Sequence, residues 1–354
     1  EAHWLPDGVS FIVSATENGR TYNLYKVHYP SGEFQLLTTG LSSFEKPVVS
    51  RDGKKILTLQ STNNSNIFLA NSADLNKQAQ LTTGNTNKYG QTSLTWTDEN
   101  EILFSSQMEN DLVENFWLLD STSLARRQIT AEKVALLSNA DSDGKSIAYT
   151  VMRGQFASLE KINADGGNLV QLKSSKTGGN RSPQFSSDGN WLYYIFRETK
   201  GAKIMRLSLQ SNEEEVFFDD EKVQCGLFLQ ISPDGKYLAC PNWRQRTVSD
   251  ADRYNAEIAI ISVETKSMVK LLAVERLSPN FRFSPDSNAI EFIAASDAGS
   301  QIIRQSISDG KSAPILNLPT ERIFNFDWSF EGKKLAISRG QQLRDAVLLT
   351  DFNE

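Results

Sequence analysis

Residues 231–239 read ISPDGKYLA, and seven other stretches of the chain repeat the same pattern. An apolar and a small polar residue precede an acid, a glycine-like residue and a run of alternating apolar residues. Asp followed by Gly favours a tight hairpin, because the acid accepts hydrogen bonds from nearby amides and Gly adopts a positive φ without steric cost. The acids of the eight turns lie 44–52 residues apart and are Asp7, Asp52, Glu99, Asp143, Asp188, Asp234, Asp286 and Glu331.

Each repeat has the content of four short β-strands. The turn is followed by a β-rich run such as WLYYIFR (191–197), then by a second such as KIMRLSL (203–209) and by a shorter third run. No segment shows a long apolar period of 3.6 residues. Four antiparallel strands per repeat of about 45 residues are typical of a β-propeller blade. We therefore predict an all-β fold, an eight-bladed β-propeller of four-stranded antiparallel blades that forms a single domain over residues 1–354.

Seven blades are the alternative if one repeat is miscounted. The last repeat supplies only three strands before the chain stops at TDFNE (350–354), so we expect a three-stranded final blade or an outer strand from upstream residues. Asn100 and Ser287 stand where other turns have Gly. Ser tolerates the left-handed region less well than Asn, so the seventh turn is expected to deviate most.

Three stretches resemble the repeats of TolB-type, WD-related propellers of bacteria: ISPDGKYLA (231–239), FSPDSNAI (283–290) and WSFEGKKLA (328–336). Residues 321–352 are similar to the closing segment of C-terminal propellers fused to bacterial Ser/Thr protein kinases and winged-helix regulators. The resemblance implies a sensor or protein-interaction module in an extracytoplasmic or periplasmic location, with a cytoplasmic location left open. No GxGxxG, HRD or DFG kinase motif occurs in the chain.

Composition weighs against several functional classes. The chain has 37 Lys and Arg against 43 Asp and Glu, a net charge of −6, which opposes binding to nucleic acid phosphates. It has no apolar run of about 20 residues, so we predict no membrane insertion within this segment. With two His, two Cys and no GxSxG motif, the sequence predicts no catalytic residues, no metal site and no cofactor. Hairpin register places Cys240 opposite Leu229, four residues from Cys225, which predicts two free thiols.

A polar cluster is predicted near the propeller axis. His3, Arg282 and Asp327 each lie four residues before a turn acid, on repeats one, seven and eight. Alternation along a strand turns these side chains away from the neighbouring apolar residues, which include Trp4, Trp96 and Trp328. We expect an Arg282–Asp327 contact with His3 beside it, forming either a static polar network or a ligand site.

A basic rim is predicted where the second strand of a blade leads to the third. The loop NWRQRTVSDADRYN (242–255) is the longest of these, and long loops on a rigid scaffold often carry recognition. Arginine binds carboxylate or phosphate in a bidentate manner, although each Arg can instead pair with a neighbouring acid. The rim candidates for binding a protein partner or a small anionic ligand are Arg153, Arg197, Trp243, Arg244, Arg246, Arg253 and Arg339.

Three functional hypotheses follow. The first is a non-enzymatic sensor propeller that binds a ligand or protein, as the C-terminal module of a larger bacterial signalling protein. The second is a TolB-like periplasmic scaffold for protein interactions. The third is a propeller lyase or hydrolase with an axial site at His3, Arg282 and Asp327, which the scarcity of histidine disfavours.

Overall fold

The computed structural model describes residues 2–16, 21–40, 42–84, 88–107, 113–133, 135–154, 156–175, 178–199, 201–242, 255–275, 277–295, 299–350 and 352. Over these residues the chain is all-β, with no helix. The chain divides into two compact units, residues 1–64 with 341–354, and residues 65–340.

The strands of the amino-terminal part are β1 (Ala2–Trp4), β2 (Ser10–Ala15), β3 (Asn23–His28), β4 (Phe34–Leu36), β5 (Ser43–Val49), β6 (Lys55–Asn71) and β7 (Asp74–Gln80). In the first unit, β1 to β4 form an antiparallel sheet in chain order, and β5 pairs with the first half of β6. The core of this unit contains Leu5, Ile12, Leu24, Phe44, Val49 and Ile56.

The next twelve strands are β8 (Leu94–Trp96), β9 (Glu101–Ser106), β10 (Asn115–Asp120), β11 (Arg126–Gln128), β12 (Leu136–Ser142), β13 (Ser146–Arg153), β14 (Phe156–Asn163), β15 (Val170–Lys173), β16 (Gly179–Phe185), β17 (Trp191–Glu198), β18 (Gly201–Ser208) and β19 (Glu214–Phe218). They form three four-stranded antiparallel blades, in which each strand pairs with the next along the chain. A single parallel pair, Ala157 with Gly179, links the second and third of these blades.

The remaining strands are β20 (Gln230–Ile231), β21 (Tyr237–Asn242), β22 (Asn255–Ser262), β23 (Ser267–Glu275), β24 (Leu277–Phe283), β25 (Ala289–Ala295), β26 (Ser300–Ser306), β27 (Ser312–Leu318), β28 (Arg322–Trp328) and β29 (Lys334–Thr350). Two more blades are β20 to β23 and β24 to β27. In the sixth blade β28 pairs with β29, β29 neighbours β6, and β6 pairs with β7.

The second unit is a β-propeller. The first strand of each blade contacts the first strand of the next, in the order β8, β12, β16, β20, β24 and β28, and β28 contacts β8 to close the ring. Neighbouring blades share apolar cores. At the closing seam, Ile67 of β6, Ala336 of β29 and Trp96 of β8 lie in one buried cluster.

The blade count differs from the prediction of eight, and from the alternative of seven. In the described part of the second unit six four-stranded blades form the ring. The runs KKILTLQ and NIFLANS, expected as two strands of one blade, form the continuous strand β6, and the last two runs of the chain form β29. Residues 61–65 carry no Gly or Pro that would favour a hairpin between the two runs.

Ring closure also differs from the expectation. The closing blade is complete, because residues 65–71 of β6 and strand β7 add its two outer strands to β28 and β29. Ser72 N–H donates to Lys333 O over 2.9 Å at the end of this pairing. The donor of the missing outer strand therefore lies within the chain. That residues 1–354 act as one domain stays a prediction.

The hairpins form as predicted, but the seventh turn is not the one that deviates. Ser287 adopts the left-handed region at a φ of 61°, as Gly235 does at 70°, so the seventh turn does not deviate. The third turn does differ, because Asp98 rather than Glu99 accepts the amide hydrogen bonds, from Asn100 and Glu101. Asp98 lies one residue earlier than the acids of the other turns. It accepts the amide hydrogen bonds of the turn, and Asn100 does not adopt a positive φ.

Candidate functional site

The second unit contains an open cavity of about 820 Å³, here called the central funnel. It lies on the face of the ring that carries the Asp-Gly hairpins, and all six first strands contribute to its wall. Its size falls within the range of known ligand sites. The polar side chains that line its floor, one from each first strand, are Thr95, Asp141, Gln184, Gln230, Arg282 and Asp327.

The predicted contact between Arg282 and Asp327 is present in the funnel floor. Arg282 Nε lies 3.1 Å from Asp327 Oδ1, and the two side chains are only 16% and 17% exposed. Thr95 of β8 donates its hydroxyl to Asp327 Oδ2 over 2.8 Å. Arg282 also donates to the carbonyl oxygens of Phe281 and Leu94, at 3.0 and 3.3 Å. Both oxygens of Asp327 therefore have partners, and the pair is a fixed part of the ring.

His3 is not part of this described network. It lies on β1 in the first unit, where its Nδ1 is 3.3 Å from the carbonyl oxygen of Trp4. Thr95 occupies the expected place beside Asp327, because the ring closes from β28 to β8 rather than from the last repeat to the first. The neighbouring apolar residue Trp4 is 54% exposed, whereas Trp96 at the same repeat position is buried.

Asp141 is the floor residue that sequence reasoning missed. The residue four positions before its turn acid, the place that Arg282 and Asp327 hold in their repeats, is Asn139. The hairpin between β12 and β13 is two residues shorter than the next one, since Ser142 pairs with Ile147 whereas Phe185 pairs with Leu192. Asp141 rather than Asn139 therefore takes the place that Gln184 has on β16, and it lines the funnel. The sequence feature that could have pointed to Asp141 is an acid two residues before the turn acid, where most other repeats have Ser.

The carboxyl group of Asp141 has a raised pKa, about 7 against an ordinary value of 3.8. The largest cause is burial, which disfavours the charged form, and the nearby charge of Asp327 acts in the same direction. The N–H of Phe185 donates to Asp141 Oδ2 over 2.7 Å and opposes the shift, as does the charge of Arg282. At neutral pH this group is therefore close to half ionised.

The predicted rim is only partly described, and it lies at the opposite end of the blades from the funnel. Arg153 pairs with Glu160 and Glu132, at 2.8 and 2.9 Å. Arg339 pairs with Glu321 at 2.6 Å. Arg153 and Arg339 therefore pair with neighbouring acids, which was the alternative to ligand binding.

Arg197 lies at the end of β17 beside Arg181, whose pKa is lowered by burial and by the charge of Arg197. The other rim candidates lie outside the described residues and are Trp243, Arg244, Arg246 and Arg253. An anionic ligand at this rim stays a prediction.

The two cysteines form a disulfide, contrary to the prediction of free thiols. Their Cα atoms are 5.4 Å apart. The expected register holds, since Gln230 pairs with Ala239, but β20 is only two residues long. The chain before it folds back along β21, and Gly226 N–H donates to Pro241 O over 2.8 Å. The prediction of free thiols was wrong because it assumed an extended strand from Cys225 to β20.

In the described part of the chain, no three His, Cys, Asp or Glu side chains are grouped so that they could hold a metal ion. A search of the same residues finds no helix of the length and apolarity needed to span a membrane.

Comparison with known proteins gives information on the fold of the chain but not on its activity. No protein-family model matches the chain. The uncharacterized protein Atu1656 of Agrobacterium fabrum (strain C58 / ATCC 33970) is 28% identical over 103 residues, which is 29% of this chain. The chain spans about a third, 35%, of the length of this curated relative.

Solved structures with a similar fold include TolB from Acinetobacter baumannii, which is 14% identical, with a TM-score of 0.45 over 76% of this chain and 64% of that one. A chain of the nidogen/laminin complex is 9% identical, with a TM-score of 0.51 over 77% of this chain and 96% of that one. A puromycin-hydrolyzing peptidase of Mycobacterium tuberculosis is 14% identical, with a TM-score of 0.51 over 87% of this chain and 50% of that one. These likenesses concern the fold alone.

Proposed function

We propose that the six-bladed unit is a non-enzymatic binding module whose central funnel receives a segment of a partner protein. The observation that carries this proposal is the open funnel of about 820 Å³ above a floor whose polar groups are held in place by the Arg282–Asp327 pair. A preformed concave site on a rigid ring orients a ligand without a large ordering cost.

The arrangement of the floor favours binding over catalysis. Hydrolysis by a pair of carboxylates needs both groups to be free to act on the substrate. Asp327 is held by Arg282 and by Thr95, so Asp141 is the one carboxyl group of the described floor that has no ion pair. The hydroxyls of Ser186 and Ser232 at the funnel wall are bonded to the acids of their own turns. A nucleophile activated by a neighbouring base is therefore not part of the proposal.

The disulfide supports an extracytoplasmic location. Disulfides persist in secreted and periplasmic proteins and are rare in the reducing cytosol. The bond between Cys225 and Cys240 is buried within a blade of the ring. We include a periplasmic or other extracytoplasmic setting in the proposal.

The sequence encoded upstream of residue 1 distinguishes the two binding hypotheses. A kinase or DNA-binding domain followed by a membrane span supports the sensor of a signalling protein. A signal peptide directly before residue 1 supports a scaffold similar to TolB.

Panning of a random peptide library against the chain tests the proposed function. Ser187 is exposed and lines the funnel, so Ser187→Trp narrows its mouth. Ser211→Trp is the matched control, because Ser211 is equally exposed in an outer turn of the same blade. We expect enriched peptides to lose about tenfold or more in affinity for Ser187→Trp and to bind Ser211→Trp like the unchanged chain. Failure to enrich any peptide, or equal losses in both variants, would reject the funnel as the binding site.

A further inference from the structure

The serine of the repeated turn motif has a constant structural task. At five turns its Oγ accepts the N–H of the residue five positions later, and at four of these it also donates to the turn aspartate. For example, Ser186 accepts from Trp191 N over 2.9 Å and donates to Asp188 over 2.6 Å. The serines that accept in this way are Ser50, Ser186, Ser232, Ser284 and Ser329.

Asp141 lies two residues before its turn acid, as these serines do, but its hairpin is two residues shorter and does not place it in the turn. Ser142 stabilises the turn instead, since its Oγ donates to Ser146 O over 3.0 Å and accepts from Gly144 N over 3.1 Å. The carboxylate of Asp141 is thereby released from its own turn. It reaches across to the N–H of Phe185 on the next blade and lines the funnel. A residue that departs from a repeated local rule often marks a functional position.

Asp141 is the acceptor that the floor leaves open to a ligand. Asp327 is neutralised by Arg282 at 3.1 Å, whereas no ion pair to Asp141 occurs in the described part of the chain. Burial raises the pKa of Asp141, so its charged form lacks the compensation that a bound cation would supply. A cationic ligand would supply this missing partner.

The funnel as a whole favours a cation carried on an apolar stem. Four acids line it against two bases, an excess of two negative charges when Asp141 is ionised, which attracts cations into a narrow cavity. Aromatic rings complete the wall, including Trp328 and Phe330, the last 57% exposed. Lys and Arg side chains combine a charged head with an apolar stem that packs on such surfaces. The charged groups that line the funnel are Asp141, Asp143, Asp188, Asp327, Lys145 and Arg282.

We propose that Asp141 is the specificity-determining residue of the funnel and that it binds the lysine or arginine side chain of the partner segment. This inference rests on the proposed function, that a polypeptide enters the funnel. It assigns the chemistry of one subsite: a charge-assisted hydrogen bond from an ammonium or guanidinium group to a largely desolvated carboxylate.

Binding through Asp141 depends on pH, because only its ionised form attracts a cation strongly. The charged groups that face it are Asp327 and Arg282 from β28 and β24, with Asp143, Lys145 and Asp188 on the adjacent hairpins. With a pKa of about 7, the ionised fraction rises roughly tenfold between pH 6 and pH 8. Affinity for a basic peptide is expected to rise by a similar factor over this interval.

Parallel panning of a random peptide library against the unchanged chain, Asp141→Asn and Asp188→Asn tests the inference. Asn at position 141 keeps an acceptor for Phe185 N–H but removes the charge. Asp188→Asn is the matched control, because it removes one funnel charge while an Asn side chain still caps the turn. We expect peptides selected on the unchanged chain to carry Lys or Arg at one position. Their affinity should fall about 10- to 100-fold for Asp141→Asn, and about threefold at most for Asp188→Asn.

The outcomes separate this inference from the proposed function. Peptides that depend on an open funnel but show no basic position overturn the role of Asp141 and leave the proposed function standing. Equal losses for the two Asn variants, or an affinity that does not change from pH 6 to pH 8, also overturn it. If no peptide is enriched, both proposals fall.

Discussion

Replacing Asp141 with Asn is expected to stabilise the second unit at alkaline pH. Asn resembles the neutral form of the carboxyl group and can still accept the hydrogen bond from Phe185 N–H, which is 2.7 Å long in the native chain. The substitution removes a charge that is buried at the funnel floor near Asp327. The variant therefore reports directly on the cost of that charge.

The size of the effect follows from the pKa of Asp141, about 7 in the folded chain against an ordinary value of 3.8. Between about pH 4 and pH 7 the folded chain holds a proton that the unfolded chain has released. The stability due to this proton is complete below the unfolded pKa and is lost as pH rises through 7. A difference of about three pKa units corresponds to about 4 kcal/mol, and water in the funnel reduces this cost, so we expect roughly 2–4 kcal/mol.

Urea denaturation followed by tryptophan fluorescence measures this difference at pH 5, 7 and 8.5. At pH 5 the variant should already exceed the unchanged chain by about 40% of the full difference, because pH 5 lies between the two pKa values, and at pH 7 and 8.5 it should show nearly the full difference. Asp188→Asn provides a control of opposite sign. The pKa of Asp188 is lowered, chiefly by the Ser186 hydroxyl, so losing its charge should reduce stability above that pKa. If Asp141→Asn gives no gain at pH 8.5, or the same gain at pH 5, the burial of a titrating carboxyl group at the funnel floor is refuted.

Two further substitutions test the packing of the ring. Replacing Cys225 and Cys240 together with Ala should lower the free energy of unfolding by about 3 kcal/mol, since the bond closes a loop of 15 residues, and the loss should vanish when both proteins are measured under reducing conditions. Gly332→Ala should lower the melting temperature more than Gly189→Ala. Both glycines have a positive φ, but an added Cβ at Gly332 would lie 2.4 Å from Pro285 Cβ, whereas at Gly189 it meets no atom within 4 Å. Equal losses at the two glycines would argue against the close approach of neighbouring hairpins.

The sequence alone was sufficient for the all-β fold, the repeated hairpins and the Arg282–Asp327 pair. These features depend on interactions within a repeat or between neighbouring repeats, where turn chemistry and strand alternation act over a few residues. Asp234 accepts from Lys236 N–H and Gly235 N–H donates to Ser232 O, contacts within three residues that the local pattern can predict.

Tertiary structure decided the number of blades, the position of His3, the disulfide and the exposure of Asp141 to the funnel. The reason is the same in each case, since the outcome depends on which distant segments pair. Strand β6 could form a hairpin with itself or continue into the closing blade, and only the partner strands β7 and β29 decide between these. The hairpin between β12 and β13 is likewise two residues shorter than the hairpin of the next blade, and this brings Asp141 rather than Asn139 to the funnel, because the length of a hairpin depends on how its two strands pair.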